Sequence, residues 1–293
     1  MGRASWWWVG ILATACGAAS PAGTDLASPD APPPDAAVGD PDGSSDPGIL
    51  LDGEPGTPAD TPCVPAPFPG SPAGTWAQVQ VREAVVNSPS LADVRRTYTT
   101  LALWTVTGDG EDLEVRSTVC EVRTDSPDSP VKTIIPLALV RSIPEQDLPC
   151  SARAEGEGWH LVQDRHVEIR GAVLAHPDTD PLPTDPGDPA VVDQDRDGQP
   201  GVTVLLTGLV DGAVYVVQRI WTELEGCSDA AGGFQGSVSW GEDQVVLGAD
   251  NPVLVMQSVI TPIPGAGRFW MRPVPPGTDC DYLVAHRQEI LGE

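Results

Sequence analysis

The chain has 293 residues, with 42 acidic against 16 basic side chains and a formal net charge of −26. So acidic a protein repels phosphate backbones, which disfavours nucleic acid as a partner and makes divalent cations or basic surfaces the natural counterparts. Lys132 is the only lysine in the chain.

The first fifteen residues read as an export signal. Arg3 is a lone positive charge, Ala4 to Ala15 run without a charge, and Ala13-Thr14-Ala15 fits the small-residue pattern of a cleavage site before Cys16. About a dozen apolar residues fall short of the roughly twenty that a membrane-spanning helix needs. Leu12-Ala13-Thr14-Ala15-Cys16 also resembles a bacterial lipobox, with its leucine four residues before the cysteine where the usual spacing is three. The resemblance implies that Cys16 carries a diacylglycerol and holds the protein to a membrane outside the cytoplasm. Gly17, in place of Asp, is compatible with outer-membrane sorting by analogy with such lipoproteins.

From residue 16 to 62 the chain is mostly Ala, Gly, Ser, Thr, Pro and Asp with few larger apolar residues, and it has nine acids and no Lys or Arg. This segment cannot bury enough apolar surface to offset the entropy of ordering, and its like charges repel, so it reads as a disordered, extended tether. Residues 63–293 are then the folded part. The signal holds one of the arginines, so 15 basic and 33 acidic residues remain, a net charge of −18.

Through residues 63–293 apolar side chains recur at every second position, between Pro and Gly breaks. Gln78 to Val86, Thr97 to Thr107, Leu113 to Val122 and Lys132 to Arg141 read as strands, with a turn at Gly108-Asp109-Gly110. Alternation follows from Val167 to Val173. Later strands are expected over Val202 to Leu209, Ala213 to Leu224, Phe234 to Trp240, Val253 to Thr261 and Arg268 to Pro273. Asp211-Gly212 marks a tight hairpin, and Tyr282 to Ile290 is a short helix candidate. The fold expected is all-β, a barrel or sandwich of roughly ten to twelve strands. If Cys16 is lipidated, five cysteines remain for two disulfides and one thiol, in 15 arrangements that spacing does not rank. The expected pairs are Cys120–Cys150 and Cys227–Cys280, each within one half of the fold, with Cys63 left over.

Asp193-Gln194-Asp195-Arg196-Asp197-Gly198 has the D-x-D-x-D-G spacing of a calcium loop. Alternate residues put three carboxylates on one side of a turn, Gly198 allows the bend, and the carbonyl of Gln199 falls where a seventh-position backbone ligand belongs. Where an EF-hand has its bidentate Glu this chain has Val204, so Asp188 or Asp211 is a candidate to close the site. Catalytic signals are thin, and the protein reads as a non-enzyme. Gly236-Ser237-Val238-Ser239-Trp240-Gly241 misses the nucleophile-elbow spacing by one residue. His160 and His166, on one strand, would share a face and could meet a metal.

The core tryptophans Trp76, Trp104, Trp159, Trp221, Trp240 and Trp270 are expected to pack inside the β-domain. Gly74-Thr75-Trp76 is similar to the G-x-W that opens lipocalin and fatty-acid-binding barrels. That resemblance implies a carrier of a small apolar ligand, with Trp76 closing the barrel base and an enclosed cavity beside Trp76 and Trp104. The signal, tether and Asp loop together resemble those of lipoproteins exported by high-GC bacteria. They imply a membrane-tethered, calcium-stabilised extracytoplasmic binding or structural module, whose partner is a protein, glycan or small molecule. A secreted hydrolase is the third reading, and it needs His160, His166 or His286 to meet a carboxylate or Ser239.

Overall fold

The computed structural model describes residues 63–68, 70–89, 91–109 and 112–292. The signal 1–15, the lipidation candidate Cys16 and the tether 16–62 lie outside the described residues. Eleven antiparallel strands carry the fold: β1 (Gly74–Ser88), β2 (Leu91–Asp109), β3 (Asp112–Asp125), β4 (Val131–Ile134), β5 (Gln146–Glu155), β6 (Gly158–Arg170), β7 (Val202–Gly208), β8 (Gly212–Ser228), β9 (Phe234–Ala249), β10 (Val259–Pro262) and β11 (Arg268–Val274). Eight of them close a ring in the order β1-β2-β3-β5-β6-β8-β9-β11, with β11 returning to β1. With β4, β7 and β10 set aside, ring neighbours are consecutive in the chain, so the protein is an up-and-down barrel. Closure pairs every ring strand on both sides and removes the free edges of an open sheet.

The three remaining strands build up one end. β7 pairs with the first residues of β8 (Gly212–Val216), β4 pairs with β7, and β10 pairs with the last residues of β1 (Ala84–Asn87). The opposite end is packed shut. Trp76 stands edge-on to Phe234 with ring centroids 5.3 Å apart, and Phe68 lies 5.7 Å from Phe234. Trp76 donates its indole N–H to the Pro72 carbonyl at 2.9 Å, so burying this ring strands no donor. The segment before β1 crosses beneath this plug: Ala66 N–H donates to the Ser228 carbonyl and Phe68 N–H to that of Glu157.

Alternation along β1 explains how the barrel is wrapped. Trp76, Gln78, Arg82 and Ala84 turn inward, while Ala77, Val79 and Val81 turn outward into a second core with Leu283 and Leu291. Those leucines belong to helix α2 (Cys280–Leu291), which is one helix later than α1 (Leu137–Ser142). Asp279 caps α2 by accepting the Tyr282 N–H, and Gly292 at φ 72° ends it. Trp270 of β11 ties the helix down by donating to the Leu291 carbonyl at 3.0 Å.

Several expectations need correction. Lys132 to Arg141 is not one strand: Pro136 ends the β run, and α1 follows because Leu139 and Val140 bury there. Val253 to Thr261 splits into a 3-10 turn (Pro252–Leu254), started by the Asn251 side chain and Pro252, and the short β10. β5 was not expected, because its inward residues Leu148, Cys150 and Ala152 are interleaved with Pro149 and polar groups. The disulfides are Cys63–Cys227 and Cys120–Cys280, and Cys150 is free. Cys120 is the extra residue of a bulge on β3, between the partners of Leu101 and Ala102, and lies in the outer core beside α2. Cys150 packs against the inner core, on the other side of the sheet wall, so the expected Cys120–Cys150 pair cannot form.

Candidate functional site: the barrel mouth and the acidic loop

Above the aromatic plug the inward side chains become polar. Gln78, Arg82, Gln163, Glu168 and Arg170 surround a small hollow of about 50 Å3 in mid-barrel. Arg170 and Glu168 pair there, with side chains only 8% and 15% exposed. Burial pushes the Glu168 carboxyl up, yet the charge and hydrogen bond of Arg170 win and hold it below the usual carboxylate range. Burial raises Glu242 and is not overcome by Arg82, Arg170 and Arg96 nearby. Gln218 donates to Glu242 at 2.8 Å.

From this layer to the built-up end runs an apolar cavity of about 280 Å3. Val86, Val94, Val131, Leu206, Val214 and Val246 supply much of its wall, and Arg96, Tyr98, Gln218, Glu242 and Gln244 supply its polar side. Leu209 and Val253 line it while remaining 71% and 67% exposed, so they form an apolar lip. The cavity is therefore not beside Trp76 and Trp104. Those two rings belong to the packed core that contains the plug, whereas the cavity lies at the other end of β1 and β2.

The acidic loop lies between β6 and β7. Gln194 anchors it: its Oε1 accepts the Gly171 N–H at 2.8 Å and its Nε2 donates to the Ser142 carbonyl. Asp193 accepts the N–H groups of Asp197 and Gly198, which folds the loop over its own first carboxylate. Gly198 at φ 87° has no neighbour to clash with a Cβ, so glycine is favoured there for its backbone. Carboxylate oxygens of Asp193, Asp195 and Asp197 lie within 4.8 Å of one another. Five of the six oxygens accept a hydrogen bond, while Asp195 Oδ1 is buried without a partner. Burial raises the Asp195 pKa and the Asp197 and Asp193 charges add to the rise, against the Thr203 N–H that it accepts. Hard oxygen donors gathered this way suit a hard cation, so the group could hold a metal ion. Gln199 follows the third aspartate and gives its N–H to Asp197. Asp188 and Asp211 do not join: Asp188 accepts the Ala190 N–H, and Asp211 caps the β7–β8 turn through Thr207 and Gly208.

The histidines are dispersed. A bulge between Gln163 and His166 reverses the alternation of β6, so His166 lines the mid-barrel hollow while His160 meets Glu225 at 3.1 Å. His160 also stands near the Cys63–Cys227 bridge. His286 bonds within α2 to the Tyr282 carbonyl, and Ser239 is an exposed residue of β9. Sequence reasoning missed Arg82, Arg96, Tyr98 and Glu242. The one available signal was a charge recurring on the inward side of β1, β2 and β9, which period-two alternation alone does not distinguish from a solvated face.

The fold thus defines a class: a closed eight-stranded barrel, plugged at one end and hollow at the other. No family model, curated protein or solved structure matches this chain. No helix among the described residues is long and apolar enough to cross a membrane.

Proposed function

We propose that this chain is an exported barrel, lipid-anchored at Cys16 through the tether 16–62, that carries one small ligand with apolar character in its mouth. The observation that carries the reading is the cavity of about 280 Å3 under the lip of Leu209 and Val253. A dry cavity of about 150 Å3 is large enough to bind benzene, and ligand pockets commonly start at about 300 Å3. A small ligand therefore fits, and a large one does not. The two disulfides are compatible with an extracytoplasmic location. Calcium, held by Asp193, Asp195, Asp197 and the Gln199 carbonyl, would stabilise the barrel rather than take part in binding. Protein or glycan recognition on the outer face is the second reading, and the groove between α1, α2 and β3, lined by Val119, Val140, Ile143 and Val284, is where it would occur.

The test is a titration of the full chain with octanol, followed by tryptophan fluorescence, because Trp240 contacts Tyr98 of the cavity wall with ring centroids 5.5 Å apart. Saturable binding that Val94→Phe weakens supports the reading. Non-saturable behaviour in the native chain, or equal binding by the variant, refutes it.

A further inference from the structure

The barrel interior carries more positive than negative charge, although the protein as a whole is strongly acidic. Among the described residues that line the cavity and the hollow, Arg82, Arg96 and Arg170 meet two carboxylates, Glu168 and Glu242. Glu168 is committed to Arg170. Arg82 and Arg96 then face Glu242 alone, and they outnumber it whether or not it is ionised. Buried charge without a counter-charge is costly, so such an excess calls for an anion.

The hydrogen-bond inventory points the same way. Gln78 Nε2, Arg82 Nε, Trp104 Nε1 and Trp240 Nε1 are buried donors without an acceptor, and the buried Tyr98 hydroxyl, which receives a hydrogen bond from Arg96, has no acceptor for its own proton. Three of them are contiguous where the cavity meets the mid-barrel hollow: Tyr98 lines the cavity, Arg82 lines the hollow below it, and Trp240 lies against both. Arg82 and Tyr98 are direct cross-strand neighbours on β1 and β2. The Arg82 guanidinium lies over the Trp240 ring at 5.1 Å, and that ring meets Tyr98 edge-on. Arg82 is 6% exposed and Tyr98 8%. Arg82 donates through Nη2 to Thr100 Oγ1 at 3.1 Å. Arg96 lies 6.0 Å from the Tyr98 ring, donates through Nε to the Ser126 hydroxyl at 3.2 Å, and lines the cavity.

We propose that the cavity takes a singly charged anionic amphiphile, head inward, its carboxylate received by Arg82, Arg96 and Tyr98 and its alkyl part by the valine-rich wall. This rests on the ligand-carrying reading above and adds the charge and orientation of the ligand. An anion in this position supplies the acceptors that Arg82 and Tyr98 lack. Glu242 lies near Arg82, Arg96 and Tyr98 and is held by Gln218; it offsets one of the two arginine charges, which limits the head to a single negative charge. A neutral alcohol of the same length satisfies the wall equally well but brings no counter-charge.

The experiment compares octanoate with octanol on the full chain, with Tyr98→Phe and Arg82→Gln variants, in sodium chloride and in sodium gluconate at equal ionic strength. Charge-assisted hydrogen bonds to buried partners predict that octanoate binds about tenfold tighter or more. Tyr98→Phe keeps the ring and loses only the hydroxyl, so it reduces the octanoate advantage while leaving octanol binding unchanged. Arg82→Gln, if it folds, removes most of the advantage. Equal binding of octanoate and octanol overturns the anionic head while sparing the carrier reading. Loss of the octanoate advantage in chloride alone means that a free inorganic anion owns the site, and this also overturns it. Failure of both probes to bind overturns the proposal together with the reading beneath it.

Discussion

Replacing Asp195 by Asn tests the acidic loop with a change of sign as well as size. Asn keeps an oxygen for the Thr203 N–H, which is 2.9 Å away, and removes the charge that burial and the two neighbouring carboxylates penalise. In chelator the variant is therefore expected to melt at or above the native temperature. Calcium reverses the order. Extracellular loops of this kind bind calcium at about 0.1–1 mM. At about 10 mM ion, linkage then stabilises the native chain by about 1.4–2.7 kcal/mol. For a barrel of this size that corresponds to a rise of about 3–11 °C. The assay is thermal unfolding of both proteins with calcium and with chelator. The native protein should rise and the variant should not. An unchanged native melting temperature, or the same rise in both proteins, would refute the assignment of these three aspartates as an ion site.

Two further perturbations test the framework. Removing the Cys120–Cys280 bridge with paired serines is expected to cost about 2–4 kcal/mol, read by denaturant unfolding, since the bridge spans a sequence separation of 160 and fixes α2 to the barrel wall. Reduction of the native chain should produce the same loss from this bridge, and no change in either case would show that α2 holds by packing alone. Arg170→Met leaves Glu168 buried without its partner and is expected to cost about 3–5 kcal/mol near neutral pH. Because Arg170 holds the Glu168 carboxyl below its ordinary value of 4.5, the stability from this pair is present above that value and lost as the pH falls through the folded-state pKa. The gap between the native protein and Arg170→Met should thus narrow on acidification; a gap independent of pH would mean that the pair contributes through packing and not through charge.

The inward and outward faces of β1, the hairpin at Asp211-Gly212, the helix near Tyr282 and the acidic loop could all be read from the chain. Each depends on neighbours a few residues apart: period-two burial, a turn residue with its required φ, a cap, or three carboxylates on alternate positions. The reading failed where a local pattern was overridden. Pro136 with the buried pair Leu139 and Val140 turned an apparent strand into α1. A bulge in β6 put His160 and His166 on different faces. β5 was hidden because its inward residues are small or sulfur-bearing and its outward ones are polar.

The composition and short-range pattern of this sequence by themselves determined an acidic, β-rich protein with a loop of oxygen donors. Only the tertiary structure decided that the strands close into a ring, that Cys63 meets Cys227 and Cys120 meets Cys280, and that the hollow lies away from Trp76 and Trp104. It also decided that Arg82, Arg96, Tyr98 and Glu242 come together where the cavity meets the mid-barrel hollow. Those residues are brought together by strand register across the closed ring and across long sequence separations. Ring closure and bulges set that register, and no window of neighbouring residues contains it.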